Sequence, residues 1–213
     1  MKKYFMLFPL SFLALTSCLT IVQSLTTESN IITDNRLIGE WLDASSKKML
    51  VQKLMDSKDN KIFTELDHKT YTAADSVFFI KHYVISFSEN NLNYSWVAGM
   101  VKIKDQYYID IEPDECTNKN GTEQYNVNKL VTASIAKLEW KNNNSVILHF
   151  LNGDYVKQII LNGQARIKHE YDPLFGTFII TASSDEMEQF LEKYGNNENL
   201  FSGGNTIKLT RKV

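Results

Sequence analysis

The carboxylates Asp110 and Glu112 stand two apart in the run Tyr107–Pro113, on one face of an alternating segment. Paired carboxylates perform acid–base work when one of them is desolvated. On a half-buried strand the same spacing makes a solvated face, and that is the expectation here. Four histidines, His68, His82, His149 and His169, are scattered along the chain. None pairs with another at the short spacings of zinc sites, so no metal site is expected. Cys116 lies in Pro113-Asp114-Glu115-Cys116-Thr117-Asn118, which reads as a polar loop. Its acidic neighbours disfavour the thiolate that a nucleophile needs. No Walker-type phosphate loop, G-x-S-x-G elbow or H-E-x-x-H helix is present. Ser202-Gly203-Gly204-Asn205 reads as a turn, not a phosphate cradle. With no nucleophile–base pair to name, neither an enzyme nor a cofactor is expected.

The remaining candidates are aromatic. Phe79, Tyr83, Tyr94, Trp96, Tyr107 and Trp140 fall on the faces of alternating runs. Such side chains either line a cavity for a small apolar or amphipathic ligand or fill a core.

The elements that carry them are short and alternate with period two. Met49–Met55, Ile62–Leu66, Leu92–Ala98, Val101–Lys104 and Tyr107–Glu112 follow this pattern, with polar clusters such as Ser57-Lys58-Asp59-Asn60 between them. Phe78–Phe87 is apolar on both faces. Leu130–Trp140, Val146–Phe150, Phe178–Ala182 and Thr206–Lys212 continue the theme. Asn152-Gly153 is a strong hairpin signal. It makes Tyr155–Leu161 a returning strand, although apolar residues four apart leave a short helix open. One helix is clear at 184–194. Ser183 and Glu186 are spaced as a capping box, Met187, Phe190, Leu191 and Tyr194 form one stripe, and Gly195 is placed for a left-handed cap. The pattern gives roughly ten antiparallel strands and one helix. Closure into a barrel removes all edges, and a sandwich is the competing architecture.

Composition narrows the partners. The chain has 213 residues, with 23 Lys and Arg against 25 Asp and Glu. The basic residues form no dense block, so nucleic acid is not an expected partner. Only 3 Pro and 9 Gly argue against disorder.

The N-terminus is an address. Lys2 and Lys3 precede an apolar run from Tyr4 to Ala14, interrupted by Pro9 and Ser11. That is the layout of a secretory signal, and the run is short for a membrane span of about 20 residues. An ordinary cleaved signal and an uncleaved anchor fit the same layout. Leu15-Thr16-Ser17-Cys18 resembles the bacterial lipobox. The resemblance implies a signal peptide over 1–17 and acylation, such as by palmitate, of Cys18. It implies a lipoprotein of the cell envelope held to the membrane through that lipid. Leu19 is not the acidic residue that resembles an inner-membrane retention signal, which favours the outer membrane. Residues 18–34, rich in Ser, Thr and Asn, then read as a flexible lipidated tether, and 35–213 as a single domain of about 180 residues, enough for a real core. With Cys18 acylated, Cys116 has no partner for an internal disulfide.

Leu37-Ile38-Gly39-Glu40-Trp41 resembles the Gly-x-Trp motif of the lipocalin superfamily. The resemblance implies a lipocalin-like β-barrel whose floor is closed by Trp41 packed against a late arginine, for which Arg211 is the candidate. The stretches Val101–Pro113 and Ile180–Tyr194 are similar to lipocalin-like bacterial lipoproteins. No Thr-Asp-Tyr triplet follows the middle strands, Gly153-Asp154-Tyr155 being the nearest. A ligand cavity is therefore one expectation. A barrel filled by side chains, docking an envelope protein, is the other.

Overall fold

A computed structural model describes residues 19–56, 73–89, 92–118, 132–203 and 205–212. Two two-residue strands come first, β1 (Thr20–Ile21) and β2 (Ile31–Ile32). Seven strands of the barrel follow: β3 (Gly39–Leu42), β4 (Lys48–Lys53), β5 (Tyr83–Glu89), β6 (Leu92–Ile103), β7 (Gln106–Asn118), β8 (Ser134–Asn142) and β9 (Ser145–Phe150). The hairpin strands β10 (His169–Asp172) and β11 (Thr177–Ile180) and the final strand β12 (Thr206–Arg211) complete the set. The helices are α1 (Ala73–Lys81), α2 (Gly153–Leu161) and α3 (Ser184–Tyr194).

β3 to β9 pair antiparallel in chain order, and β12 closes the ring between β9 and β3. β6 pairs with β5 on one side and β7 on the other. The result is a closed, lipocalin-like barrel of eight antiparallel strands, with β2 as an extra strand. β5 leaves β6 at the Tyr83–Ala98 pair, and β2 takes up the vacated edge at Met100 and Val101.

Strand alternation sorts side chains into two cores. Trp41, Met49, Val51, Ile85, Ala98, Met100, Ile109, Ile111, Ala136, Leu138, Val146, Leu148 and Leu209 point into the lumen. Val101, Ile103, Tyr108 and Ile135 point outward from β6, β7 and β8. There α2, α3 and the small sheet β1–β11–β10 cover them. α3 begins with the capping box of Ser183 and Glu186, as the spacing predicts. Gly195 differs from expectation. Its φ of −62° is right-handed. A Cβ there would lie 2.1 Å from the Tyr108 hydroxyl, so close approach, not handedness, calls for glycine.

Four other segments depart from the sequence reading. Residues 19–34 are no flexible tether. β1 pairs parallel with β11, β2 pairs with β6, and Ile21, Leu25 and Ile31 are buried. Tyr155–Leu161 is helical, because Asn152 is an N-cap whose side chain accepts from the Tyr155 amide at 3.1 Å. Phe78–Phe87 divides, its first part ending α1 and its second forming β5. Pro113–Asn118 belongs to β7 and is not a loop. Pro113 sits where the β6–β7 register shifts beside Trp96, a position that tolerates a missing N–H.

Candidate functional site

The closed end of the barrel is built around two tryptophans. Trp41, on β3, is fully buried, and its Nε1 donates to the Leu37 carbonyl at 2.7 Å. The β3–β12 register sets Arg211 opposite Trp41. The guanidinium carbon lies 4.5 Å from the Trp41 ring centroid. Its Nη1 donates to the Ile38 carbonyl at 2.8 Å and its Nη2 to the Arg36 carbonyl at 2.5 Å. Gly39 makes room for this. Its φ is +136°, and a Cβ would lie 2.5 Å from Arg211 Nη1.

Trp140 lies 6.4 Å from Trp41, and Arg36 stacks on Trp140 at 4.4 Å. Arg36 also grips Asp34 through Nε and Nη2. Burial works against the Asp34 carboxylate, but its hydrogen bonds to Arg36 outweigh this and hold its pKa below the ordinary value. Asp34 caps the 3-10 turn Asn35–Leu37, and its backbone N–H donates to the Tyr83 hydroxyl at 2.6 Å. The floor is thus an array of Arg211, Trp41, Trp140 and Arg36, tied down at Asp34 and Tyr83.

Above that floor lies an apolar lumen cavity of 190 Å³. It runs from Leu37 and Trp41 past Ile85 to Trp96, Pro113 and Phe150 at the other end. Of the six aromatics expected to line a cavity, only Trp96 does so. Tyr83 and Trp140 build the floor, and Tyr107 packs against the inner core beside them. Tyr94 stacks on Phe87 at 4.9 Å, and Phe87 in turn meets Trp96 at 4.7 Å. Phe79 is on α1, outside the barrel, packed on Leu54 and Val84. Cys18 lies outside the described residues.

Two larger hollows measure 430 Å³ and 510 Å³, and the smaller of them shares Ser134, Phe150 and Ile207 with the lumen cavity. The larger contains Asp110, Glu112 and His82, and it corrects the expectation of a solvated carboxylate face. Asp110 is only 2% exposed. Its Oδ2 accepts from the amides of Leu25 and Thr26 at 2.8 and 3.0 Å and from the Ser24 hydroxyl. Its Oδ1 accepts from the Gly99 amide at 3.2 Å. Burial, with Asp110 adding its charge, raises the Glu112 pKa. Burial lowers that of His82.

His82 Nδ1 faces the Phe78 carbonyl at 2.9 Å, an acceptor only, so Nδ1 carries the proton and Nε2 faces Thr26 Oγ1 at 3.4 Å. A hydroxyl–imidazole–carboxylate relay needs the carboxylate to orient the imidazole. Here Asp110 is occupied by hydroxyls and amides instead. The cluster is a clamp that pins the N-terminal segment to the barrel wall. Among the described residues, no group of three His, Cys, Asp or Glu side chains is arranged to hold a metal ion.

The fold and site define a barrel of the lipocalin-like kind with a small apolar lumen. Comparison with known proteins finds no matching family model, no match among curated proteins and none among solved structures.

Proposed function

We propose that this protein is an envelope lipoprotein, anchored by an acylated Cys18, that takes a small apolar group into its barrel. The lumen cavity carries the reading. It is lined almost wholly by apolar side chains, and it stands above a floor sealed by paired Trp–Arg stacks. Its 190 Å³ is smaller than the roughly 300–1,000 Å³ of pockets for drug-sized ligands. It is comparable to an apolar core cavity of about 150 Å³ that accepts benzene. The ligand is therefore a single ring or the end of an apolar chain, with its polar part at the Trp96–Phe150 end.

A second reading has its own observation. Trp41, Trp140, Met100 and Leu138 already fill much of the interior. A filled barrel is a scaffold that docks an envelope protein.

Native mass spectrometry of the protein purified from its own host separates the two. A bound apolar molecule that Ile207→Trp excludes supports the first. A ligand-free protein with an unchanged mass supports the second. Labelling with a fatty-acid analogue tests the anchor, and undiminished label in Cys18→Ala ends the lipoprotein reading.

A further inference from the structure

The hairpin between β10 and β11 holds its two largest tip residues in solvent. Leu174 is 84% exposed and Phe175 is 80% exposed. Turn positions ordinarily take Gly, Pro, Asn, Asp or Ser. Pro173 and Gly176 conform, and Leu174 and Phe175 do not. The tip is a built conformation. Asp172 Oδ1 accepts from the amides of Leu174 and Phe175 at 2.8 and 3.3 Å, and Gly176 takes a φ of +68°. Lys157 of α2 braces it from the side, donating to the Gly176 carbonyl at 3.3 Å and lying 4.9 Å over the Tyr171 ring. Tyr171, on the same hairpin, is another exposed large side chain. Single exposed apolar residues are ordinary, but a contiguous group marks a contact with a membrane or a partner.

The strand pairing says which. β1 lies parallel to β11, with Thr20 opposite Ile179 and Ile21 opposite Ile180. β1 therefore enters the fold from the end of the sheet that carries the tip. Leu19 packs against the outer core there. Leu19 directly follows Cys18 in the chain. The chain thus runs from the residue proposed to carry the lipid directly into β1, at the end of the sheet that carries the tip.

We infer that Leu174 and Phe175, with Tyr171 beside them, dip into the lipid surface next to the acyl anchor and fix the domain's orientation on the membrane. This rests on the lipoprotein reading. Glu170 and Asp172 outnumber Lys157 near the tip, so the contact is driven by apolar burial and not by anionic headgroups. An aromatic ring at this depth suits the headgroup boundary.

The test uses the lipidated full chain in vesicles of phosphatidylethanolamine and phosphatidylglycerol with brominated acyl chains. Phe175→Trp adds an emission that the bromines are expected to quench, while emission from the native Trp41, Trp96 and Trp140 is unchanged. Replacing the phosphatidylglycerol with phosphatidylcholine leaves the quenching in place. With Tyr171→Trp as reporter, Leu174→Glu combined with Phe175→Glu abolishes the quenching. An acylated, vesicle-bound Phe175→Trp protein whose added emission escapes quenching overturns the inference and leaves the anchor reading standing. Loss of the anchor reading in the labelling experiment, with quenching retained, leaves the tip contact standing alone. A dimer in solution that the two glutamates dissolve assigns the tip to a second copy and also overturns it.

Discussion

Arg211 does two things at once that a smaller cation cannot. Its guanidinium face covers Trp41 while its two amino groups donate to the Ile38 and Arg36 carbonyls. A lysine offers one compact charge and no planar fork. Arg211→Lys is therefore expected to lower the unfolding free energy by about 1–3 kcal/mol, read by urea titration. Gly39→Ala is expected to destabilise by a similar amount, because it combines a strained φ with a clash at Arg211. The Gly39-x-Trp41 spacing points to Trp41 and, through the resemblance, to Arg211. Arg36 carries no such mark, because its stack on Trp140 joins residues far apart in sequence. Glu112 gives a pH prediction. Its folded pKa lies above the ordinary 4.5, so the folded state holds the proton more tightly than the unfolded chain does. Its contribution to stability is full below that value and is lost as pH rises through the folded pKa. Glu112→Gln should therefore gain stability over the parent as pH rises from 4.5, levelling off above the folded pKa. A gain that grows toward acid pH instead would refute the burial of Glu112. His82 works in the other direction, since its lowered pKa costs stability as pH falls below 6.5.

Local periodicity marks the elements, and the structure departs from it where a side chain changes the meaning of a motif. Asn152-Gly153 has the letters of a hairpin turn, yet the Asn152 side chain caps α2 and also donates to the Ser202 carbonyl. The four-residue spacing of Tyr155–Ile159 and Val156–Ile160 was the competing signal, and buried Val156, Ile159 and Ile160 show which face it served. Asn152→Ala should cost about 0.5–2 kcal/mol, and Asn152→Asp, which can still accept from the Tyr155 amide, should recover part of it. The segment around Phe79 departs from its strand pattern for a different reason. Short apolar runs look alike in a strand and a buried helix. Phe79 therefore lies in the cluster of Leu54 and Val84 outside the barrel and not in the lumen. By contrast, α3 carried a capping box and a complete apolar stripe, two independent signals that agree, and it forms over the expected residues.

At the scale of the molecule, the barrel was legible because its strands alternate cleanly, while the N-terminal strap was not. Ile21, Leu25 and Ile31 have no helical or strand period, since each is buried at a separate turn or two-residue strand. Their partners, Ile180, Asp110 and Val101, are remote in sequence. The two readings of this segment predict opposite results. If residues 19–34 were a tether, a chain beginning at Asn35 would fold as the parent does. In the structure, that deletion exposes apolar surface on β6 and β11 and removes three buried side chains, each contributing about 1.5–3 kcal/mol. It also takes the amide and hydroxyl donors from Asp110, leaving a buried carboxylate short of partners, which costs a further 1–3 kcal/mol or about that. Set against a typical total of about 5–15 kcal/mol, the loss removes most of the stability of the domain. The truncated chain should therefore show a broadened or absent urea transition and weakened near-ultraviolet circular dichroism. A Gly-Ser linker inserted between Cys18 and Leu19 should leave both unchanged, because it lengthens the chain outside the packed strap. With Cys18 as the proposed anchor, the same linker should also weaken quenching at the Leu174–Phe175 tip, since it lengthens the connection between the lipid and the domain.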